Sequence, residues 1–351
     1  MTKIIKWKFK ELKGKFYQVE ENIPELRQGE ALVKIAGCGV CHTDISFWHD
    51  GVKTRKELPL SLGHEISGIV VAGDKHWLNK PVIIPAVLPC GTCELCIKGR
   101  SNICQKQLMP GNDFDGGFAT HIVVPSRFLC AVPDIALKTY SLSQLAVIAD
   151  AVSTPYQVIK KSGLQSNDLA IIIGTGGIGT YGIQIAKIYG AYVLALDIND
   201  EKLENAKKAG ANEIINIKDL DIKTIKQHIK EICKKEGLSP YLWKIYEMSG
   251  TSAGQELAFN LLTFASTLSV VGFTMDKVNV RLSNLMAMDA TMIGTWGCKP
   301  ELYSEIVYLV GEGKINIKDF IEEHPLNDIN EVFENILQHK YKKRIILIPN
   351  T

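Results

Sequence analysis

The sequence predicts an α/β protein of two domains, one β-rich and one built on a doubly wound parallel sheet. Three observations carry this expectation. The 351-residue length exceeds what a single ordinary core serves. Residues 1–150 are rich in Val, Ile, Gly and Pro and broken by turns, with strand-like runs at Ala31-Leu32-Val33-Lys34-Ile35, Gly68-Ile69-Val70-Val71 and Pro81-Val82-Ile83-Ile84. From about residue 152 to 285 apolar strands alternate with helix-period segments, the pattern of parallel βαβ units.

Bulk composition narrows the function classes. Hydrophobic residues make up 46% and charged residues 22%, ordinary for a packed globular chain. A formal charge of +2 from 40 basic and 38 acidic residues leaves no sequence-wide footprint for nucleic acid or a membrane surface. The opening Met1-Thr2-Lys3-Ile4-Ile5-Lys6-Trp7-Lys8 has no signal-like apolar core, and no run approaches bilayer length. A cytoplasmic location is expected, with small molecules and other subunits as partners. In that compartment clustered cysteines, from nine in all, read as metal ligands or redox thiols and not as disulfides.

The parallel-sheet region opens with the strand Leu169-Ala170-Ile171-Ile172-Ile173, followed at once by Gly174-Thr175-Gly176-Gly177-Ile178-Gly179. Gly174, Gly176 and Gly179 stand at G-x-G-x-x-G spacing between a strand and a helix of about 178–189. Gly174 permits the tight turn, Gly176 lets backbone N–H groups approach a pyrophosphate, and Gly179 lets helix and strand pack closely. The next strand, Tyr192-Val193-Leu194-Ala195-Leu196, ends at Asp197, placed to accept from ribose hydroxyls and to repel the extra phosphate of NADP. This is a Rossmann pattern that favours NAD; a turn without ligand, or a flavin or nucleotide-sugar site, uses the same elements. Later strands are expected at Lys244-Ile245-Tyr246-Glu247 and Leu268-Ser269-Val270-Val271. Before them runs a helix carrying Ile222, Ile225, Ile229 and Ile232 on one face and lysines on a solvated one. The closing stretch, 286–351, shows helical patterns near 301–312 and 328–339 and a strand Ile345-Ile346-Leu347-Ile348.

Two cysteine constellations follow different logic. Cys90, Cys93, Cys96 and Cys104 stand at C-x2-C-x2-C-x7-C. Four thiolates close a tetrahedral zinc and leave no open position, so such a metal holds a loop together; an iron–sulfur cluster is the competitor. The looser set is Cys41 within Gly39-Val40-Cys41-His42-Thr43-Asp44, and His64-Glu65 within Gly63-His64-Glu65-Ile66-Ser67-Gly68. Taken singly, Cys38-x-x-Cys41 also reads as a redox pair and His64 as a core histidine.

Together these residues resemble the zinc-containing medium-chain alcohol dehydrogenases over nearly the whole chain. The resemblance implies a GroES-like catalytic domain at 1–151, completed by 286–351, holding two zincs, and a Rossmann NAD-binding domain at 152–285. It assigns the catalytic zinc to Cys41, His64 and Asp150, the last filling a slot that is often cysteine; a carboxylate is a competent ligand. It makes Glu65 an alternate fourth ligand and Asp44 the partner that orients His64. Thr43 begins a proton relay, His42 and Arg344 neighbour the pyrophosphate, Thr154 lies near the nicotinamide, and Gly177, Ile178 and Lys202 belong to the nucleotide site. The relay often ends at a histidine where this chain has Ser46, which is no base near neutral pH, so the proton leaves through water, His49 or another group. The family's spaced glycine after Gly68 is displaced here to Gly73. A homodimer or homotetramer is implied.

A narrower likeness lies in Met109-Pro110-Gly111-Asn112-Asp113, Gly116-Gly117-Phe118-Ala119-Thr120-His121, Gly272-Phe273-Thr274-Met275-Asp276-Lys277-Val278 and Arg281-Leu282-Ser283-Asn284-Leu285-Met286. These resemble the 6-hydroxycyclohex-1-ene-1-carbonyl-CoA dehydrogenases of anaerobic benzoyl-CoA degradation, which implies oxidation of a ring alcohol to the 6-oxo enone thioester with reduction of NAD. Lys53, Arg55 and Lys56 either meet CoA phosphates or form a solvated basic loop. The zinc would act as a Lewis acid on the alcohol while hydride passes to the nicotinamide. The alternatives are a simple secondary alcohol or polyol as substrate, zinc-assisted hydration of the enone, and a non-catalytic nucleotide-binding relative.

Overall fold

A computed structural model of the protein describes residues 3–350. The chain divides into two compact units, one formed by the residues up to Ser153 together with those from Gly297 onward, the other by Thr154–Trp296. In chain order the first unit contributes β1 (Lys3–Lys8), β2 (Tyr17–Asn22), β3 (Glu30–Gly39), β4 (Glu65–Ala72), β5 (Pro81–Ile84), β6 (His121–Pro125) and β7 (Cys130–Ala131). The second contributes β8 (Leu169–Ile173), β9 (Tyr192–Asp197), β10 (Glu213–Asn216), β11 (Lys244–Glu247), β12 (Thr267–Val270) and β13 (Thr291–Gly294). The chain then returns to the first unit with β14 (Ile321–Pro325) and β15 (Arg344–Ile348).

The second unit is the expected doubly wound sheet. Its strands run in the order β10-β9-β8-β11-β12-β13, and every neighbouring pair is parallel. Every residue of β8 is buried, as a strand covered by helices on both faces requires. Strand order reverses between β8 and β11, and the crevice outside the carboxyl ends at such a switch point is where ligands bind in open α/β sheets. The unit reaches further than the expected boundary at 285. β13 pairs with β12 in register, Thr267 with Thr291 through Val270 with Gly294, which carries the sheet to Gly294 and the unit to Trp296. Thr291-Met292-Ile293-Gly294 is short and mostly exposed, so it lacks the apolar run that marks a buried strand.

In the first unit the sheet runs β14-β15-β3-β4-β5-β7, with β6 also paired to β3. Register matters most here. β3 and β4 are antiparallel with Gly39 opposite Glu65, and β15 is antiparallel to β3 with Ile346 opposite Gly39. The residues just past β3, just before β4 and at the start of β15 therefore meet at one end of the sheet: Cys41, His64 and Arg344.

The C-terminal segment is held by packing. Phe333, on the helix Ile329–Leu337, sits with its ring centroid 4.7 Å from Phe16, 5.3 Å from Trp48 and 5.8 Å from Phe118, the last two edge-on, a geometry that suits the ring quadrupoles. Asn330 seals the contact by accepting from the Phe16 N–H at 2.8 Å and donating to its carbonyl at 3.0 Å.

An ion cluster ties β1 and β2 to the loops around Ser61 and Gly116. Asp115 lies 2.6 Å from Lys56 Nζ, 2.9 Å from Lys6 Nζ and 3.2 Å from Lys8 Nζ, and Glu21 pairs with the same Lys6 and Lys8. Burial works to raise the Asp115 pKa, but hydrogen bonds from Lys56 and Lys6 outweigh it and hold the carboxyl below its usual range. A depressed folded-state pKa stabilises above the unfolded value and is lost as pH falls. Asp115→Asn should therefore destabilise the protein by about 2–3 kcal/mol at pH 7, the buried-pair cost discounted for partial exposure. Denaturant unfolding should show that difference shrinking below about pH 4.

Candidate functional site

The end of the β3–β4 pair holds one thiol, one imidazole and two carboxyls. The donor atoms of Cys41, His64, Glu65 and Asp150 all lie within 4.8 Å of one another. Cys41 Sγ stands 3.6 Å from Asp150 Oδ2, and His64 Nε2 stands 3.7 Å from the same oxygen. The nitrogen–oxygen separation is too long for a good hydrogen bond; the sulfur–oxygen one matches the roughly 3.6 Å edge of a zinc tetrahedron, and the nitrogen–oxygen one is about 0.3 Å over its edge. His64 is 2% exposed and Glu65 fully buried. Burial disfavours charge on His64, yet the Asp44 and Asp150 carboxyls outweigh it and raise its pKa well above the usual value. A group that fills this negative pocket must bring positive charge, which a divalent cation does. The residues present fit the zinc that their chemistry implies.

Local folding explains how the ligands are aimed. Asp44 is fully buried; its Oδ2 accepts from the Cys41 N–H at 2.9 Å and its Oδ1 from the Gly63 N–H at 3.0 Å. It thereby clamps the two ligand-bearing loops together. Asp44 also faces the imidazole as expected of the residue that orients it: His64 Nδ1 lies 3.4 Å from Asp44 Oδ1, and the carboxyl acts on that ring through its charge at this separation. Glu65 receives a forked pair from Arg344, Nε donating to Oε2 at 2.8 Å and Nη2 to Oε1, while Oε1 also accepts from the Ala151 N–H at 3.0 Å. Burial opposes charge on Arg344, and the facing Glu65 carboxylate outweighs it and raises its pKa well above the usual value. Sequence reasoning set Arg344 beside a pyrophosphate and missed this pairing across 279 positions. Ligation by Glu65 requires loosening the fork.

The remaining expected residues fall as follows. Thr43 Oγ1 is 3.6 Å from Cys41 Sγ. His42 is exposed. Ser46 is buried at the start of a five-residue π-helical turn, Ser46–Asp50, and His49 Nδ1 pairs with Asp50 Oδ1 at 2.8 Å on its solvent side. Cys38 is fully buried, and desolvation pushes its thiol pKa well above the usual value, which disfavours the thiolate that a redox pair needs.

Cys90, Cys93, Cys96 and Cys104 form the second metal set. Their Sγ atoms are separated by 3.5 Å (Cys93–Cys96), 3.7 Å (Cys93–Cys104) and 4.0 Å (Cys90–Cys96), close to the roughly 3.8 Å edge of a tetrahedron with Zn–S bonds of about 2.3 Å. Backbone N–H groups already point at the sulfurs: Cys93 to Cys90 and Lys106 to Cys104, each at 3.3 Å. Hydrogen bonds of this kind, from Thr92 foremost, bring the Cys90 thiol down to about 5.

In the second unit the glycine loop is shaped as expected. Gly174 has φ +86°, and a Cβ there would meet the Ser249 backbone at 2.5 Å. A Cβ on Gly179 would lie 1.9 Å from the Gly174 carbonyl oxygen, whereas Gly176 faces open space. The helix Gly177–Ile188 starts there with no side-chain cap, so the N–H groups of its first turn, those of Gly177 and Ile178 included, are free for an anion. Asp197 ends β9, 8% exposed. Its Oδ2 accepts from Thr175 N and Oγ1, its Oδ1 from the Ile198 and Asn199 N–H groups. A ribose therefore has to share or displace the Thr175 hydroxyl. Lys202 is exposed on the first turn of the next helix, Asp200–Lys208, and Thr154 is buried.

Both units of the chain match known proteins. Residues 27–134 match the alcohol dehydrogenase GroES-like domain, and residues 177–312 match the zinc-binding dehydrogenase family. The chain is 31% identical over 330 residues to an alcohol dehydrogenase of Geobacillus stearothermophilus, covering 92% of this chain and 93% of that one. Among solved structures, galactitol-1-phosphate dehydrogenase from Escherichia coli superposes with a TM-score of 0.86 at 26% identity, covering 99% and 100% of the two chains. The alcohol dehydrogenase of Aeropyrum pernix gives 0.84 at 27% identity, covering 98% and 100%.

Metal analysis provides the test of the two clusters. The wild-type chain should carry two zincs. His64→Ala should lose one without lowering thermal stability by more than a few degrees, whereas Cys93→Ser should lose the other and markedly lower the unfolding midpoint; a single variant emptying both sites would show that they are not independent.

Proposed function

The chain belongs to the zinc-dependent medium-chain alcohol dehydrogenase family, and we propose that this enzyme oxidises the ring alcohol of 6-hydroxycyclohex-1-ene-1-carbonyl-CoA, passing hydride to NAD. It is an oxidoreductase acting on alcohols, with zinc and NAD as cofactors. Bound zinc supplies Lewis acidity that lowers the pKa of an alcohol, and NAD accepts the hydride. The chain's own residues do the rest. Cys41, His64 and Asp150 hold the metal, with Glu65 in reserve behind its Arg344 fork. Thr43 Oγ1 would accept the hydroxyl proton while passing its own proton outward, so that it ends neutral. Ser46 is only a carrier, and the Asp50–His49 pair, open to solvent, is the acid–base group on the same stretch of chain. The first-turn N–H groups after Gly176 hold the pyrophosphate, and the Asp197 carboxylate disfavours a ribose phosphate.

One observation supports the thioester over a plain alcohol. The Met109–Asp113 turn, part of the narrower likeness, links the basic loop to the zinc-ligand loop. Asn112 accepts from the Arg55 N–H through Oδ1 at 3.1 Å and from the Lys56 N–H through its carbonyl at 2.8 Å. On its other side a Cβ on Gly111 would lie 2.9 Å from the Gly63 nitrogen. A cationic loop on the wall that carries His64 suits a substrate with a phosphorylated tail. A simple secondary alcohol or polyol is the second reading, favoured by Arg55 and Lys56 already pairing with Asp113 and Asp115, although Arg55 stays exposed, as Lys53 is. Among the described residues no helix is long and apolar enough to cross a membrane, and the free thiols of the metal lobe suit a reducing, cytoplasmic setting.

Self-association is proposed through the β13 edge of the second unit. Phe273, Met275, Leu282 and Met286 are 56%, 60%, 63% and 79% exposed, and Met292 on β13 itself is 46% exposed. Bare sheet edges flanked by apolar side chains are surfaces that proteins cover. Met286→Asp combined with Met292→Lys should convert a dimer or tetramer to monomer by light scattering; an unchanged mass would exclude this edge.

Substrate assignment is tested by following NADH with the CoA thioester, cyclohexanol and aliphatic secondary alcohols side by side. Reduction with the thioester at a kcat/KM at least about a hundredfold above the simple alcohols supports the proposal. Activity on the simple alcohols alone keeps the dehydrogenase and discards the thioester, and a product heavier by one water without NADH would reveal hydration of the enone.

A further inference from the structure

Tyr303 lies 150 residues beyond Ser153 in sequence and was not singled out by any sequence pattern. It opens the helix Tyr303–Gly311 and is fully buried. Its hydroxyl is a three-way junction. It donates to the Ala149 carbonyl, accepts from the Ala86 N–H at 3.3 Å, and lies 3.3 Å from Ser153 Oγ, which in turn is 3.2 Å from the same Ala149 carbonyl. A phenol has one proton and two lone pairs: Tyr303 spends its proton on the Ala149 carbonyl and accepts from the Ala86 N–H, while the single Ser153 proton is shared between the phenol oxygen and that same carbonyl.

The Ala149 carbonyl belongs to the peptide that enters Asp150. The chain leaves the 3-10 helix Gln144–Ala149 at that residue, with φ −143° and ψ −56° at Asp150. The peptide leaving Asp150 is held as well, because the Ala151 N–H donates to Glu65 Oε1 at 3.0 Å. Both peptide planes that set the direction of the Asp150 Cα–Cβ bond are thus anchored to buried side chains. Only the two side-chain torsions remain, and the carboxyl comes to rest 3.6 Å from Cys41 Sγ and 3.7 Å from His64 Nε2.

We infer that Tyr303, with Ser153, is a positioning residue for the catalytic metal centre, holding the Ala149 carbonyl so that Asp150 is aimed at the metal as its third ligand. The inference rests on the reading of Cys41, His64 and Asp150 as the ligand set. The physical reason is reach. An aspartate carboxyl sits on one methylene, so an error in its backbone passes almost undiminished to the oxygens, and a metal site tolerates displacements of only about 0.5 Å. Outer partners of metal ligands typically contribute 10–100-fold in affinity.

The test uses the zinc-loaded full-length enzyme, its catalytic-site cobalt(II) form, and four variants. Tyr303→Phe keeps the ring and removes the junction. Tyr246→Phe is the control for loss of a buried phenol, since Tyr246 is fully buried and its hydroxyl pairs with Ser162 Oγ at 2.6 Å in the other unit. Ser153→Ala removes the second anchor, and Asp150→Ala removes the ligand. Chelator competition should show Tyr303→Phe releasing the catalytic zinc roughly 10–100-fold more readily than wild type, with the four-cysteine zinc retained and the cobalt d–d band shifted, while Tyr246→Phe changes neither readout. Zinc held within about twofold of wild type and an unmoved cobalt band would overturn the inference. If Tyr303→Phe fails to fold, Ser153→Ala decides on the same two readouts. Should Asp150→Ala keep its zinc, the ligand assignment itself falls, and this inference with it; if Asp150→Ala loses zinc and Tyr303→Phe does not, only the role of Tyr303 is lost.

Discussion

The metal centre depends on one backbone pairing, Gly39 against Glu65. The buried carboxyl folds back across the strand so closely that a Cβ on Gly39 would lie 2.0 Å from Glu65 Oε2. That contact fixes the register of β3 and β4, and register decides everything downstream: Cys41 follows one strand, His64 precedes the other, and β15 adds Arg344 at the same level. A slip by one residue would turn each of these side chains to the opposite face. Asp44 and the Glu65–Arg344 fork then stitch together loops that the sheet has already brought to one place.

The two units solve different problems with different materials. The parallel sheet offers a ligand its backbone, through the bare N-terminus of the helix at Gly177 and the close packing at Gly174 and Gly179. The antiparallel unit offers side chains, which must be aimed individually, and it surrounds them with buried charge. Neutral amides suffice for a diffuse pyrophosphate charge; a divalent ion requires concentrated negative charge at short range.

What the sequence disclosed follows the same division. The glycine loop and Asp197 were legible because one turn and the next strand contain the whole device, and the four-cysteine lobe because its ligands fall within one short loop. Cys41, His64 and Asp150 are far apart in the chain, and no periodicity links them; only likeness to a family joined them. The strand β13 escaped notice because an exposed edge strand needs no apolar alternation. The Glu65–Arg344 fork and the Tyr303 junction escaped because a buried ion pair or phenol leaves no local signature, its partners being set by tertiary packing alone. Asp44 lies beside the imidazole as expected, and its two backbone amide contacts went unread because they are set by the loops on either side of the sheet.

The cysteine lobe has a further consequence. Ser101 Oγ donates to Glu301 Oε2 at 2.9 Å, and Lys299 Nζ donates to the Gly99 carbonyl at 3.3 Å, so the loop gripped by the four thiolates grips in turn the stretch that leads into Tyr303. The lobe is therefore a buttress for a helix to which it does not belong. The contacts thus run as one chain, from the cysteine lobe through the stretch that opens the Tyr303 helix to the Ala149 carbonyl that enters Asp150.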